Sequence, residues 1–231
     1  MSDPRPHQAS PHKARSYEAL IDRLGTELVP VRRLPPPSVR TVGWLLVVAA
    51  FAVVLLMHYG ITGMQQRFVG TPDLAWAGVG AVLTAVSAAW AAFALSVPGR
   101  RAAWAWLPLP GALLWVGASG LGCLRQTVLQ VTAPGTAVST AHQSVDCLVF
   151  IIAFSIPLSV LMVFLLRRAY PLRPVLTAVL VGLASAAASA SLLEICHAYD
   201  AAATDLLTHA AAVALVVAVN AAMGGRLLSK A

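Results

Sequence analysis

The residues best equipped for chemistry fall in one stretch, Glu194 to His209 (EICHAYDAAATDLLTH), which holds Glu194, Cys196, His197, Asp200, Asp205 and His209. Thiolates, imidazoles and carboxylates are the side chains that bind zinc-like ions and exchange protons or electrons. Two more cysteines, Cys123 and Cys147, occur earlier, with His142 and Asp146 close to the second of them. Two chemistries are open to this set. Two thiols within reach form a disulfide in an oxidising compartment, and Cys147 with Cys196 is the favoured pair, each beside an acid (Asp146, Glu194). Alternatively, Cys147, Cys196, His197, His209 and His142 could supply the four ligands of a metal. No C-x-x-C or H-E-x-x-H motif is present, so such a site must be assembled from separate elements. Cys123 reads as a small apolar residue at a helix end.

The elements that carry these groups are membrane helices. With 58% apolar and 11% charged residues in a chain of 231, the composition excludes an ordinary soluble domain. Six runs are long and apolar enough to cross a bilayer, at about 41–59, 74–97, 104–123, 146–166, 174–195 and 206–224. None shows the alternation of a barrel strand, so helices are expected, in an all-α six-transmembrane bundle. The first run lies behind some forty Pro-rich, charged residues and reads as an uncleaved anchor.

Of the 16 Lys and Arg residues, all but Arg67 and Arg125 fall in the tail, the even loops or the C-terminus. The retention of short basic loops in the cytoplasm then places both termini there. The net charge of +7 is accounted for by topology and lipid contact, and direct nucleic-acid binding is not expected. The Arg pairs at 32–33, 100–101 and 167–168 each precede an odd-numbered span, which gives three helical hairpins. All three cysteines then map to outer helix ends.

Two domains are expected, a cytoplasmic tail over 1–40 and the bundle over 41–231. Residues 1–15 have the composition of a disordered segment. From Ser16, a plausible N-cap with Glu18 in the first turn, the residues Tyr17, Leu20, Ile21, Leu24 and Leu28 recur at helical steps and make one apolar stripe. Gly25 weakens this short amphipathic helix, Pro30 ends it, and VRRLPPPSVR continues as an extended spacer. An interfacial helix would lie on lipid, but Glu18, Asp22 and Glu27 weaken attraction to an anionic leaflet and favour a protein groove. In the fifth span, Gly182, Ala186 and Ala190 share one face and Ser185 and Ser189 another, which places that helix centrally. His209 and Asn220 of the sixth face protein.

The tail pattern LIDRLGTELVPVRRLPPPSVR, running into six spans with outward cysteines, resembles the NrsF-like family of bacterial membrane anti-sigma factors. The resemblance rests on Leu20-Ile21, Leu24, Pro30-Val31-Arg32, the prolines at 35–37, Arg40, Cys147 and the block from Cys196 to His209. It implies that the tail holds an extracytoplasmic-function sigma factor, with Val31 and Arg32 joining the stripe as partner contacts. It also implies that Cys147 and Cys196 sense heavy metal or oxidative stress. Such a protein is a regulator and not an enzyme; a homodimer stays open. The rival readings are a thiol oxidoreductase and a small transporter. Three isolated thiols fit poorly with a relay that needs two communicating cysteine pairs, and spans almost devoid of charge fit poorly with a carrier.

Overall fold

The computed structural model describes residues 11–26, 33–132, 141–196 and 203–228, without the side chains of 11–16, 67, 126–127, 129–132, 141–144 and 203–205. These residues are helical or in short turns, and they divide into two compact units, Met1–Leu34 and Pro35–Ala231.

The first unit carries α1 (Pro11–Thr26). The helix begins one turn and more before the expected cap: Ser16 lies inside it, Glu18 is outside its first turn, and residues 11–15, expected to be disordered, are helical. Proline explains the shift. A Pro at the first helical position has φ already set and lacks an N–H that would be unbonded anyway. The described helix reaches Thr26, just past Gly25, and the Thr26 hydroxyl donates back to the Arg23 carbonyl at 2.8 Å.

The second unit is a bundle of α2 (Pro37–Tyr59), α3 (Thr62–Gly70), α4 (Pro72–Leu95), a 3₁₀ turn (Ala102–Trp106), α5 (Leu109–Thr132), α6 (Ala141–Arg167), α7 (Pro174–Cys196) and α8 (Ala203–Leu228). Six of its segments are long and apolar enough to cross a membrane, matching the six runs in the sequence. Proline again opens α2, α4 and α7. Gly60, at φ 77°, closes α2 by taking the left-handed conformation that a β-carbon disfavours, and its N–H bonds to the Leu56 carbonyl at 2.9 Å. Two stretches read as loops are helical instead: residues 62–70 form α3, and α5 runs on through Thr132, so the longest outer connection is shorter than expected.

The layering follows from residue size. The spans α7 and α4 are 72% and 61% buried, whereas the other four are 11–28% buried. These two central helices are the ones built from Ala, Gly and Ser: Ala85, Ala88, Ala89 and Ala92 on α4, and Ala184, Ser185, Ala187 and Ala188 on α7. In lipid there is no hydrophobic drive between helices, so close backbone approach and van der Waals contact must hold them together. Gly182 demonstrates the closeness, because a β-carbon there would lie 2.8 Å from Val217 Cα. The central position expected for the fifth span is therefore found, and α4 shares it.

Around this pair, α5 packs on α4, α8 on α7, and α6 against both α7 and α8. Of the three hairpins expected, α2 with α4 and α7 with α8 are packed pairs, whereas α5 and α6, neighbours in sequence, hardly touch among the described residues. Polar links cross the apolar contacts: Ser155 Oγ lies 3.1 Å from Ser189 Oγ, and Asn220 Nδ2 donates to Ser159 Oγ at 3.3 Å. Each such bond between membrane helices contributes on the order of 0.6 kcal/mol. Asn220 thus faces protein, as its type demanded.

Candidate functional site

The thiols come first, because the sequence singled them out. Cys147, near the start of α6, is buried in a small cluster with Ile151, Leu193 of α7 and Ala212 of α8. Cys196, the last residue of α7, is half-buried and points its Sγ at the Leu192 carbonyl, 3.5 Å away. Leu193, which packs in the Cys147 cluster, is one turn before Cys196, so both thiols occupy the same end of the α6–α7 contact. Cys123 does not close its helix; it lies within α5, half-buried. All three are thiols here.

The imidazoles divide differently. His209 lines a cavity that neither Cys147 nor Cys196 lines. His197 and the His142 side chain lie outside the described residues. Among the described residues no three His, Cys, Asp or Glu side chains converge as metal ligands would, so the described donors do not make a metal site by themselves.

The cavity is the larger feature of this end of the bundle. It encloses about 620 Å³ between α4, α5, α7 and α8, and its walls are mainly apolar. Four charged or titratable side chains reach it: Asp73 from the first turn of α4, Arg125 from α5, Glu194 from α7 and His209 from α8. Arg125 Nη1 lies 3.1 Å from Asp73 Oδ1, an ion pair that ties α4 to α5. Gly122, one turn before Arg125, makes room for it; a β-carbon there would lie 2.9 Å from Asp73 Oδ2. The sequence placed Arg125 in a loop. The available signal was a pair of opposite charges at facing ends of successive spans, with a glycine one turn away.

At the opposite end of the helices, Arg40 in the first turn of α2 is only 6% exposed. Its Nη2 donates to Ser96 Oγ at 3.1 Å, and its guanidinium sits 5.2 Å from the centre of the Phe93 ring. Ser96 in turn donates to the Phe93 carbonyl at 2.7 Å, which fixes the acceptor. Nε and Nη1 of Arg40 have no hydrogen-bond partner among the described residues. One turn along α2, Trp44 is fully buried and donates from Nε1 to the Leu158 carbonyl of α6 at 3.1 Å. Arg40 is thus more than an orientation charge: it anchors α2 on the end of α4.

In the first unit, Tyr17, Leu20, Ile21 and Leu24 are each 50–65% exposed and occupy steps of three and four residues, one face of α1. Leu28, Val31 and Arg32, the remaining expected partner contacts, lie outside the described residues. An apolar stripe left uncovered on a short helix is suited to a hydrophobic groove.

A family described as negative regulator of sigma F matches residues 24–229, nearly the whole chain. The chain belongs to the NrsF family. No curated protein and no solved structure matches it. Membership in NrsF supports negative regulation of a sigma factor. The NrsF match takes in α2 to α8 and begins at Leu24, so Tyr17, Leu20 and Ile21 precede it while Leu28, Val31 and Arg32 fall within it.

Proposed function

We propose that this chain is an inner-membrane anti-sigma factor that holds an extracytoplasmic-function sigma factor through its cytoplasmic N-terminal tail and releases it when thiols on the outer side react. The observation that carries the reading is the exposed stripe Tyr17, Leu20, Ile21 and Leu24 on α1, in a chain of the NrsF family. Glu18 and Asp22 flank the stripe, a pattern better matched to a protein groove than to an anionic lipid surface. Leu28, Val31 and Arg32, which follow in the sequence, are assigned to the same contact. The bias of Lys and Arg to the tail, the even loops and the C-terminus supports cytoplasmic termini.

The input is assigned to Cys147 and Cys196, which share one end of the α6–α7 contact. An oxidant accepting two electrons and two protons from these thiols would leave one S–S bond joining α6 to α7. Burial of Cys147 against Ile151 and Leu193 means that this change repacks the cluster instead of decorating the surface. A heavy-metal input would draw on the same thiols with His142, His197 and His209; the described donors alone do not complete such a set.

The test is capture of the host's own sigma factors by the detergent-solubilised full chain, beside a Leu20→Asp/Leu24→Asp variant. Burying the two half-exposed leucines is worth roughly 2 kcal/mol in total, and charge in the groove adds to the loss, so affinity falls at least about thirtyfold. Capture by the intact chain alone is the expected result. Equal capture by the variant removes the stripe as the contact. Capture of no sigma factor under any redox or metal condition overturns the reading.

A further inference from the structure

Pro157 divides α6 into two arms. It lies inside a helix that runs unbroken over Ala141–Arg167, midway between Cys147 and Arg167. Proline lacks the N–H that would bond the carbonyl four residues back, and its ring crowds that carbonyl, so a helix bends most easily there. The Pro157 ring is itself exposed, so it fills no gap in the core and acts through the backbone.

On either side of the proline, α6 is pinned to the core. Ser155 Oγ lies 3.1 Å from Ser189 Oγ of α7, and Ser159 Oγ accepts from Asn220 Nδ2 of α8 at 3.3 Å. Pins just before and just after Pro157 resist sliding and leave rotation about that point as the easy movement. The outer arm beyond them reaches Cys147, seated with Ile151 against Leu193 and Ala212. Helix shifts in switching proteins are about 1–2 Å, which at the end of an arm of about 15 Å amounts to a bend of about 4–8°.

α2, into which the tail runs in sequence, is fastened to both arms. Phe51 meets Phe154 of the outer arm edge-on, with ring centres 5.5 Å apart, and Phe154 stacks on Phe150 at 4.4 Å, one turn from Cys147. Leu158, the first residue of the inner arm, accepts the indole N–H of the fully buried Trp44 at 3.1 Å. α2 is only 17% buried and lies also on α4 and α7, but these two contacts bracket Pro157. Swinging the outer arm carries Phe51 with it while Leu158 holds Trp44. α2 then tilts about Trp44, and its first turn moves.

We propose that α6 is a jointed lever: Pro157 is the joint, and the Phe51–Phe154 and Trp44–Leu158 contacts turn a change at Cys147 into a tilt of α2 that reaches the tail. The lever rests on the reading above, in which Cys147 and Cys196 are the input and the tail is the output.

The experiment uses the full chain in lipid nanodiscs, with Cys123→Ser so that only Cys147 and Cys196 react, and with fluorinated tryptophan throughout. The Trp44 signal in the fluorine NMR spectrum is the one missing from Trp44→Phe. Diamide takes two electrons and two protons from the two thiols, closing one S–S bond as it becomes a hydrazine. The Trp44 signal should then move, and in Pro157→Ala, where an uninterrupted helix resists bending, it should stay at its reduced position. Affinity for a captured sigma factor should fall about tenfold on oxidation with Pro157 present and less than about twofold in Pro157→Ala. Cys147→Phe, a wedge between α6 and α7 that needs no oxidant, carries the test if no S–S bond closes, and should move the Trp44 signal only when Pro157 is present. Equal movement with and without Pro157, or no movement once the outer arm is oxidised or wedged, would overturn the lever. The Trp44 signal is read without a partner, so a failure to capture any sigma factor refutes the tail reading separately.

Discussion

Replacing Gly80 by alanine should destabilise the bundle, although alanine is the better helix former. A β-carbon at Gly80 would stand 2.7 Å from Trp115 Cα and 3.0 Å from the Gly111 carbonyl oxygen, and closer still to the Trp115 backbone nitrogen. All three are backbone atoms of α5, and none can rotate aside. The contact is reciprocal, since a β-carbon at Gly111 would lie 2.8 Å from the Thr84 nitrogen of α4. The two helices must therefore separate by a large fraction of an ångström along their tightest crossing.

Overpacking of this kind costs about 1–3 kcal/mol, and the helix propensity gained by removing a glycine returns at most about 1 kcal/mol. With the full propensity gain subtracted, the expected net loss is up to about 2 kcal/mol. Gly78, one face away on the same helix, supplies the control: its β-carbon would meet only Phe68 Cζ at 3.7 Å, an ordinary contact. Gly78→Ala should be neutral or stabilising by up to about 1 kcal/mol. Equilibrium unfolding in mixed micelles measures both. Equal stability of the two variants would refute the tight α4–α5 crossing and the packing argument built on it.

Two further outcomes follow from the Arg40 end. Trp44→Phe keeps the buried ring but leaves the Leu158 carbonyl without its indole donor, and should cost about 1 kcal/mol in the same unfolding assay. Arg40→Met should lose no stability, because the guanidinium is buried with Nε and Nη1 unbonded and an apolar chain of similar length fills the space, whereas Arg40→Ala leaves a void and should be destabilised.

The spans were legible because bilayer thickness imposes a length and a composition that any sequence must show. Centrality of α7 was legible for a similar reason, since Gly182, Ser185 and Ser189 have no use on a lipid face. Helix ends were less so. The third span is expected to close at Cys123, but a charge such as Arg125 ends the membrane-embedded part and not the helix, and α5 continues through Thr132. A Pro-rich composition similarly concealed the start of α1, where Pro11 initiates the helix that it would interrupt further along. The cavity could not be read at all, because Asp73, Arg125, Glu194 and His209 come from four helices whose meeting depends on which small residues lie between them. His209, expected among the ligands of the outer cluster, lines the cavity, which neither Cys147 nor Cys196 lines.

One helix connects the two polar ends. α4 carries Asp73 in its first turn, held to Arg125 of α5, and ends at Leu95, beside Phe93 and Ser96, which hold Arg40 of α2. Between these points its small side chains are packed against α7, leaving little room to bend. A rigid α4 would carry a displacement from the Asp73 end to the Ser96–Arg40 contact. A cysteine placed at Ser96, a position only 2% exposed, reports this in a background with Cys123, Cys147 and Cys196 replaced by serine. Maleimide should react with it slowly in the unaltered bundle, faster when Gly80→Ala forces α4 from α5, and unchanged with Gly78→Ala. If Gly80→Ala destabilises the bundle without speeding that reaction, the strain is absorbed within the α4–α5 crossing, and α4 does not couple the two ends.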